Sequence, residues 1–219
     1  MPRTQWAGRT FRSFGNPCPN KTRATFSNAG QGSTSVTVPA VAAGGILLLQ
    51  VGQAFGSATT SVGGTLSGTW NKLTEVHVDP VGGSYLNCEL WVCTDYGTTG
   101  GNAVPSPASE MGMCTYVSTA NGKTGLNTIR QYTTNRAVAG VSDPTATLPG
   151  GVCYEVFAAV NQNGGSGAGT VNNGGTMLQQ HSPYTAETAM YDTTDASQSY
   201  TFSINGLKAQ WAMIILELS

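Results

Sequence analysis

The residues best suited to chemistry in this chain are few and scattered. Glu89, Glu155 and Glu217 each interrupt an otherwise apolar run. A carboxylate in such a run must face water, pair with a cation or shift its pKa, and a glycoside hydrolase needs only two of them. The expectation for all three is an outward-facing strand position or a contact from one subunit to a basic residue of another, with hydrolysis the weaker alternative. His77 and His181 are far apart. The nearest cysteines, Cys88 and Cys93, are separated so that their thiols point to opposite faces of an extended strand and cannot share a metal. Asp79, Asp192 and Asp195 fall in expected loops where calcium could bind, but the Asp192–Asp195 spacing is not that of an EF-hand. Gly122-Lys123-Thr124 has the end of a phosphate-binding loop, yet Val117 stands where that loop needs glycine, so Asn121-Gly122 reads as a hairpin turn. No Gly-x-Ser-x-Gly elbow occurs. The expectation is a protein with no catalytic residues, no metal site and no cofactor.

The elements that would position these groups are announced by composition. Charged residues make up 10% of the 219-residue chain, against about a quarter in a typical soluble protein. That excludes coiled coils and helical bundles, and 18 aromatic residues with a net charge of −1 exclude a disordered polyelectrolyte. Apolar residues at 39% can fill a core, while Gly, Thr, Ser and Asn supply turns and strand surfaces. The expected class is all-β.

Short strands with turn signals between them run from Ser33 onward. They are expected near 34–38, 45–52, 57–66, 70–78, 84–94, 111–118, 127–134, 145–148, 152–160, 176–180, 188–192, 199–204 and 209–218. Ile46–Val51, Val156–Val160 and Trp211–Leu218 are apolar on both faces, which suits central strands between other layers. Gly97–Ser109 and Asn161–Gly175 read as long surface loops, and Trp70, Trp91 and Trp211 as core residues. The five cysteines are expected to be reduced and mostly buried, as in a protein that folds in a cytoplasm. No apolar run is long enough for a membrane helix, and the N-terminus lacks the apolar stretch of a secretory signal.

The charges are sorted along the chain. Residues 1–74 contain six basic residues and no acidic one, whereas residues 75–219 contain four basic and eleven acidic residues. Residues 1–32 interleave Arg3, Arg9 and Arg12 with Trp6, Phe11 and Phe14 and continue to Lys21 and Arg23, without strand or helix periodicity. Three aromatics would be wasted in an arm free in solvent, so this block reads as an extended arm that docks on a partner, followed by a single domain over 33–219. Within that domain the order of motifs repeats weakly. Gly44-Gly45-Ile46-Leu47-Leu48-Leu49 is echoed by Gly150-Gly151-Val152, and Met113-Cys114-Thr115-Tyr116-Val117 by Trp211-Ala212-Met213-Ile214-Ile215. Two similar halves folding into one two-sheet antiparallel β-sandwich of jelly-roll type would give this pattern.

The strings Thr37-Val38-Pro39-Ala40, Gly44–Val51, Gly68-Thr69-Trp70-Asn71-Lys72-Leu73, Leu90-Trp91-Val92 and Trp211–Leu216, in this order, resemble a β-sandwich module common in virion proteins of tailed bacteriophages. The resemblance covers about residues 33–219. The chain departs from it at Gly45, where Asp is usual, and in its basic N-terminal block. It implies a structural role in a virion assembled in the host cytoplasm, as a capsid decoration (cement) protein or a tail or fibre component, and no catalytic residues. The expected partners are the major capsid protein or other virion proteins, met through Arg3, Trp6, Arg9, Phe11, Arg12, Phe14, Lys21 and Arg23. A homo-oligomer, with a trimer favoured, is expected, and a membrane or nucleic-acid partner is not. The alternative is an adsorption module whose 161–175 and 181–184 loops, with His181 and Tyr184, meet host carbohydrate.

Overall fold

A computed structural model of the chain describes residues 21–29, 35–54, 58–81, 84–107, 111–119, 129–138, 145–148, 153–163, 170–171, 176–181, 186–193, 198–203 and 207–218, with side-chain surroundings at 35–52, 58–78, 86–107, 145, 156–159 and 211–216. All regular structure among these residues is β. In chain order the strands are β1 (Lys21–Ala29), β2 (Val36–Val38), β3 (Gly45–Ala54), β4 (Ser61–Gly64), β5 (Trp70–Val81), β6 (Ser84–Cys93), β7 (Gly101–Ser106) and β8 (Met111–Thr119). They continue with β9 (Ile129–Val138), β10 (Thr145–Leu148), β11 (Cys153–Asn163), β12 (Thr170–Val171), β13 (Thr176–His181), β14 (Ala186–Thr193), β15 (Gln198–Ser203) and β16 (Leu207–Leu218).

Every pairing is antiparallel, and the pairings build four sheets. The first half forms a five-stranded sheet β1-β8-β3-β6-β5 and a three-stranded sheet β2-β7-β4; the second forms β9-β16-β11-β14-β13 and β10-β15-β12. Adding eight to each strand number converts the first scheme into the second. The echo in the sequence is thus a duplication of an eight-strand unit. Each half pairs its strands into one five-stranded and one three-stranded sheet.

Two apolar clusters show how the layers lie. Ile46 and Leu48 of β3, Val76 and Val78 of β5, and Leu86, Cys88, Leu90 and Val92 of β6 pack against Phe157 and Ala159 of β11 and Ala212, Ile214 and Leu216 of β16. The two five-stranded sheets therefore meet face to face. Edge strand β1 lies against β13, and β5 against β9, which the exchange of n with n + 8 turns into each other. The second cluster lies on the other face of the first large sheet, where Leu47, Leu49, Val51, Trp70, Trp91 and Cys93 pack on Val36 and Val38 of β2 and Ala103 of β7. Successive residues of a strand alternate faces, so β3, with a layer on each side, must be apolar at nearly every position. Residues 46–49 and 51 are at most 1% exposed.

Several expectations need correction. Lys21–Ala29, grouped with the arm by composition, is edge strand β1, paired along its whole length with β8 from Lys21↔Thr119 to Ala29↔Met111. Asn121-Gly122 lies outside the described residues; the strands on either side of it belong to different sheets, β8 pairing with β1 and β3 and β9 with β16. The 97–109 segment contains β7, the central strand of the small sheet, with Ala103 fully buried. The expected 161–175 loop begins in β11 and contains β12. Gly, Asn and Pro concealed these strands because the small sheet's outward face needs no apolar residues. Asp79 and Asp192 belong to β5 and β14, not to loops; Asp195 lies outside the described residues.

Candidate functional site

The charged side chains of the described core gather on one face of the β5–β6 pair. Register runs Trp70↔Cys93, Lys72↔Trp91, Thr74↔Leu90, Glu75↔Glu89 and His77↔Asn87, with a shift between Lys72 and Thr74. Residues three apart on a regular strand face opposite sides. Here the extra residue, Leu73, packs half-buried toward the core between the large sheets, and the bulge returns Glu75 to the side that carries Lys72. One face therefore grades from apolar pairs (Trp70, Cys93) to polar ones (Glu75 with Glu89, His77 with Asn87).

Glu89 is the centre of this row. It is fully buried, correcting the expectation of an outward position or a contact between subunits. The Thr59 backbone N–H donates to its Oε1 at 2.7 Å, and Trp91 Nε1, two residues along on the same face, donates to its Oε2 at 3.0 Å. Lys72 Nζ is 3.3 Å from the same Oε2 and 2.6 Å from Oε2 of the half-exposed Glu75. The ammonium also sits 5.2 Å from the centre of the Trp91 ring, a cation–π contact. Burial is the largest single influence on Lys72 and pulls its pKa down; the hydrogen bond that Lys72 donates to Glu75 and the charges of Glu89 and Glu75 together outweigh it, so the pKa lies above the ordinary lysine value. The ammonium is thus held charged between two carboxylates. Beyond it, His77 Nδ1 and Asn87 Oδ1 form a short hydrogen bond.

Both oxygens of Glu89 are occupied by N–H donors of the protein itself. What the carboxylate does in this arrangement is bind the segment before β4, through Thr59, to β6 of the large sheet. A second polar corner fixes the loops at the end of the first half. Asp95 Oδ1 accepts from the Thr69 N–H (2.7 Å) and Oδ2 from the Thr69 hydroxyl (3.0 Å). These bonds, led by the backbone one, hold its pKa below the ordinary aspartate value. Tyr96 Oη donates to the Ala42 carbonyl (2.6 Å) and accepts from the Gly45 N–H (3.0 Å), tying the β6–β7 connection to the turn before β3. Gly68, at φ 136°, lets the backbone approach here: a Cβ would lie 2.6 Å from Cys93 Sγ.

Between the halves, Gln50 Nε2 donates to the Ala158 carbonyl at 3.2 Å and lies 3.4 Å from Cys88 Sγ. Gln50 Oε1 and the indole N–H groups of Trp70 and Trp211 are buried without a partner. Trp70, Trp91 and Trp211 are core residues, as expected. Cys88 and Cys93 are free thiols in the two different clusters, on opposite faces of β6 as their spacing requires. Burial first of all pushes both up to about 12, which keeps them as inert thiols. Among the described residues no group of three or more His, Cys, Asp or Glu is placed to hold a metal.

The other residues singled out by sequence are distributed differently. Lys21 and Arg23 lie on β1 opposite Thr119 and Val117. Arg3, Trp6, Arg9, Phe11, Arg12, Phe14 and Tyr184 lie outside the described residues. His181 is the last residue of β13, opposite Thr188, not part of a loop. Glu155 and Glu217 lie on β11 and β16, opposite Leu216 and Tyr154. Sequence reasoning missed the Lys72, Glu75, His77 and Asn87 row. The alternation Asn87, Glu89, Trp91 was visible, but the bulge at Leu73 breaks the matching alternation on β5. Comparisons with protein-family models, curated proteins and solved structures return no match.

Proposed function

We propose that this chain is a non-enzymatic structural protein of a tailed-bacteriophage virion, built as two jelly-roll-like β-sandwiches in tandem, that decorates and stabilises the capsid shell by binding capsid protein. The observation that carries this reading is how the described half uses its charge. The one fully buried carboxylate among the described side chains, Glu89, is closed off by Thr59, Trp91 and Lys72, and the small sheet facing away from the core has no charged residue in any of its strands. A framework that invests its polar groups in internal ties and offers a neutral surface suits permanent packing against neighbours, where each unpaired charge would cost desolvation. The resemblance to phage virion modules supports the same class.

In this reading the basic and aromatic residues Arg3, Trp6, Arg9, Phe11, Arg12 and Phe14, with Lys21 and Arg23, make the contact to capsid protein. The test is to delete residues 1–20, leaving β1 in place, and to measure occupancy on purified shells. Loss of binding with an unchanged melting profile is expected, and undiminished binding refutes the assignment. A glycan-binding signal on an array would point instead to host adsorption.

A further inference from the structure

We propose that the outward face of the β2-β7-β4 sheet is a contact surface for a second copy of this chain, docked through its own charge-free three-stranded sheet. This deepens the assembly reading above and rests on it.

The face is read directly from alternation. Val36, Val38 and Ala103 point into the core, leaving Thr37, Asn102, Val104, Ser106, Ser61 and Gly63 outward. Val104 is the exposed large hydrophobic residue of the described structure, at 36%. Residues 24–71 and 96–109 contain no Asp, Glu, Lys or Arg. The charges nearest in sequence to these strands are Glu110, which lies outside the described residues, and Asp95, which is bonded to Thr69. A partner therefore desolvates no charge carried by the strands of this sheet.

Three threonine hydroxyls on and around this face are held by internal bonds. Thr37 Oγ1 donates to Asn102 Oδ1 (3.1 Å), Thr60 Oγ1 donates to the Ser106 carbonyl (3.0 Å), and Thr65 Oγ1 accepts from the Asn102 N–H (2.9 Å). Nucleic acid would need cations offered outward, and the strands of this sheet carry none. Thr, Ser, Gly and Val have little rotamer freedom to lose, unlike the Lys and Glu of an ordinary surface. Ordering and desolvation costs, which usually oppose docking, are both small.

The choice of a second copy follows from the duplication. The strands of the counterpart sheet, β10, β12 and β15, likewise contain no Asp, Glu, Lys or Arg, while every charged strand residue belongs to the five-stranded sheets. One molecule thus carries the same kind of neutral sheet twice, so copies can join through it repeatedly. A six-residue strand and three strands span roughly 20 Å by 15 Å, less than the ~800 Å² per partner of a stable interface. Each contact is weak and gains strength by repetition in a lattice.

Sedimentation of the full chain from micromolar to millimolar concentration tests this, alongside Val104→Lys and Gly63→Lys. Both positions are exposed, and nothing lies within 4 Å of a Cβ built at Gly63, so unchanged melting profiles serve as the folding control. Concentration-dependent association is expected for the parent, weakened at least about tenfold by each charge placed in the contact. A parent that stays monomeric throughout, or association untouched by both variants, overturns the proposal. Shell binding without self-association refutes this contact while sparing the virion reading; self-association without shell binding supports the contact and refutes that reading.

Discussion

Removing the ammonium from the buried clasp by Lys72→Met is the sharpest probe of how the first half is held together. The methionine keeps most of the lysine stem and its packing on Trp91 but leaves the Glu89 carboxylate, which is 0% exposed, without a counter-charge. Breaking one partner of a buried pair costs about 3–5 kcal/mol. Glu89 keeps its bonds from Thr59 and Trp91, and the Lys72 side chain is 26% exposed, so part of the pair already sees water. Both facts favour the lower end, about 3 kcal/mol. For a chain of this size that lowers Tm by roughly 6–12 °C. Glu75→Gln is the matched control: it removes the half-exposed member of the same cluster, where a surface pair contributes about 0.2–1 kcal/mol. The double variant Lys72→Met/Glu89→Gln should lose about as much as Lys72→Met alone. It exchanges an unpaired buried charge for two neutral groups without acceptors, the Trp91 indole N–H and the glutamine NH2 that faces it, each worth about 1–3 kcal/mol, while the glutamine oxygen still accepts from Thr59. Denaturant titration with thermal melts reads all three. A Lys72→Met loss no larger than that of Glu75→Gln would refute the buried clasp.

Two further perturbations address the loop corner. Asp95 binds protons less readily folded than unfolded, so the unfolded state takes up more protons as pH falls; its contribution is therefore complete above the ordinary aspartate pKa of about 3.9 and is lost as pH drops through the lower folded value. Asp95→Asn should flatten the acid limb of the stability–pH profile in that window, and an unchanged limb would show that the Thr69 bonds do not act on the carboxyl. Gly68→Ala forces a Cβ to 2.6 Å from Cys93 Sγ at a φ that L-residues rarely adopt, and should cost on the order of 1–3 kcal/mol. Gly63→Ala, with open space around its Cβ, should melt within about 0.5 kcal/mol of the parent. Equal losses at the two glycines would refute the strain argument.

Local rules made much of the architecture legible. The doubly apolar runs at Ile46–Val51 and Trp211–Leu218 marked strands with a layer on each side, and such layers surround β3. The three tryptophans in apolar runs are buried. The opposite directions of Cys88 and Cys93 followed from the two-residue repeat of a strand. The site was less legible. A glutamate amid Cys88, Leu90 and Val92 signals a problem that the fold must solve, but one strand does not say whether water, a subunit or an internal lysine solves it.

Sequence by itself determined the all-β class, the place of most strands, the repeat of motifs and the uneven sorting of charge, because each depends on residue type and short-range periodicity. Tertiary structure decided what depends on which strands become neighbours. It made the repeat two complete eight-strand units meeting through their large sheets, and turned Lys21–Ala29 from a supposed arm into an edge strand. It also brought Thr59, Lys72, Glu75 and Trp91 around Glu89 from separate segments. A carboxylate's partner is chosen by register, and here a single extra residue at Leu73 sets that register in a way no alternation of residue types announces.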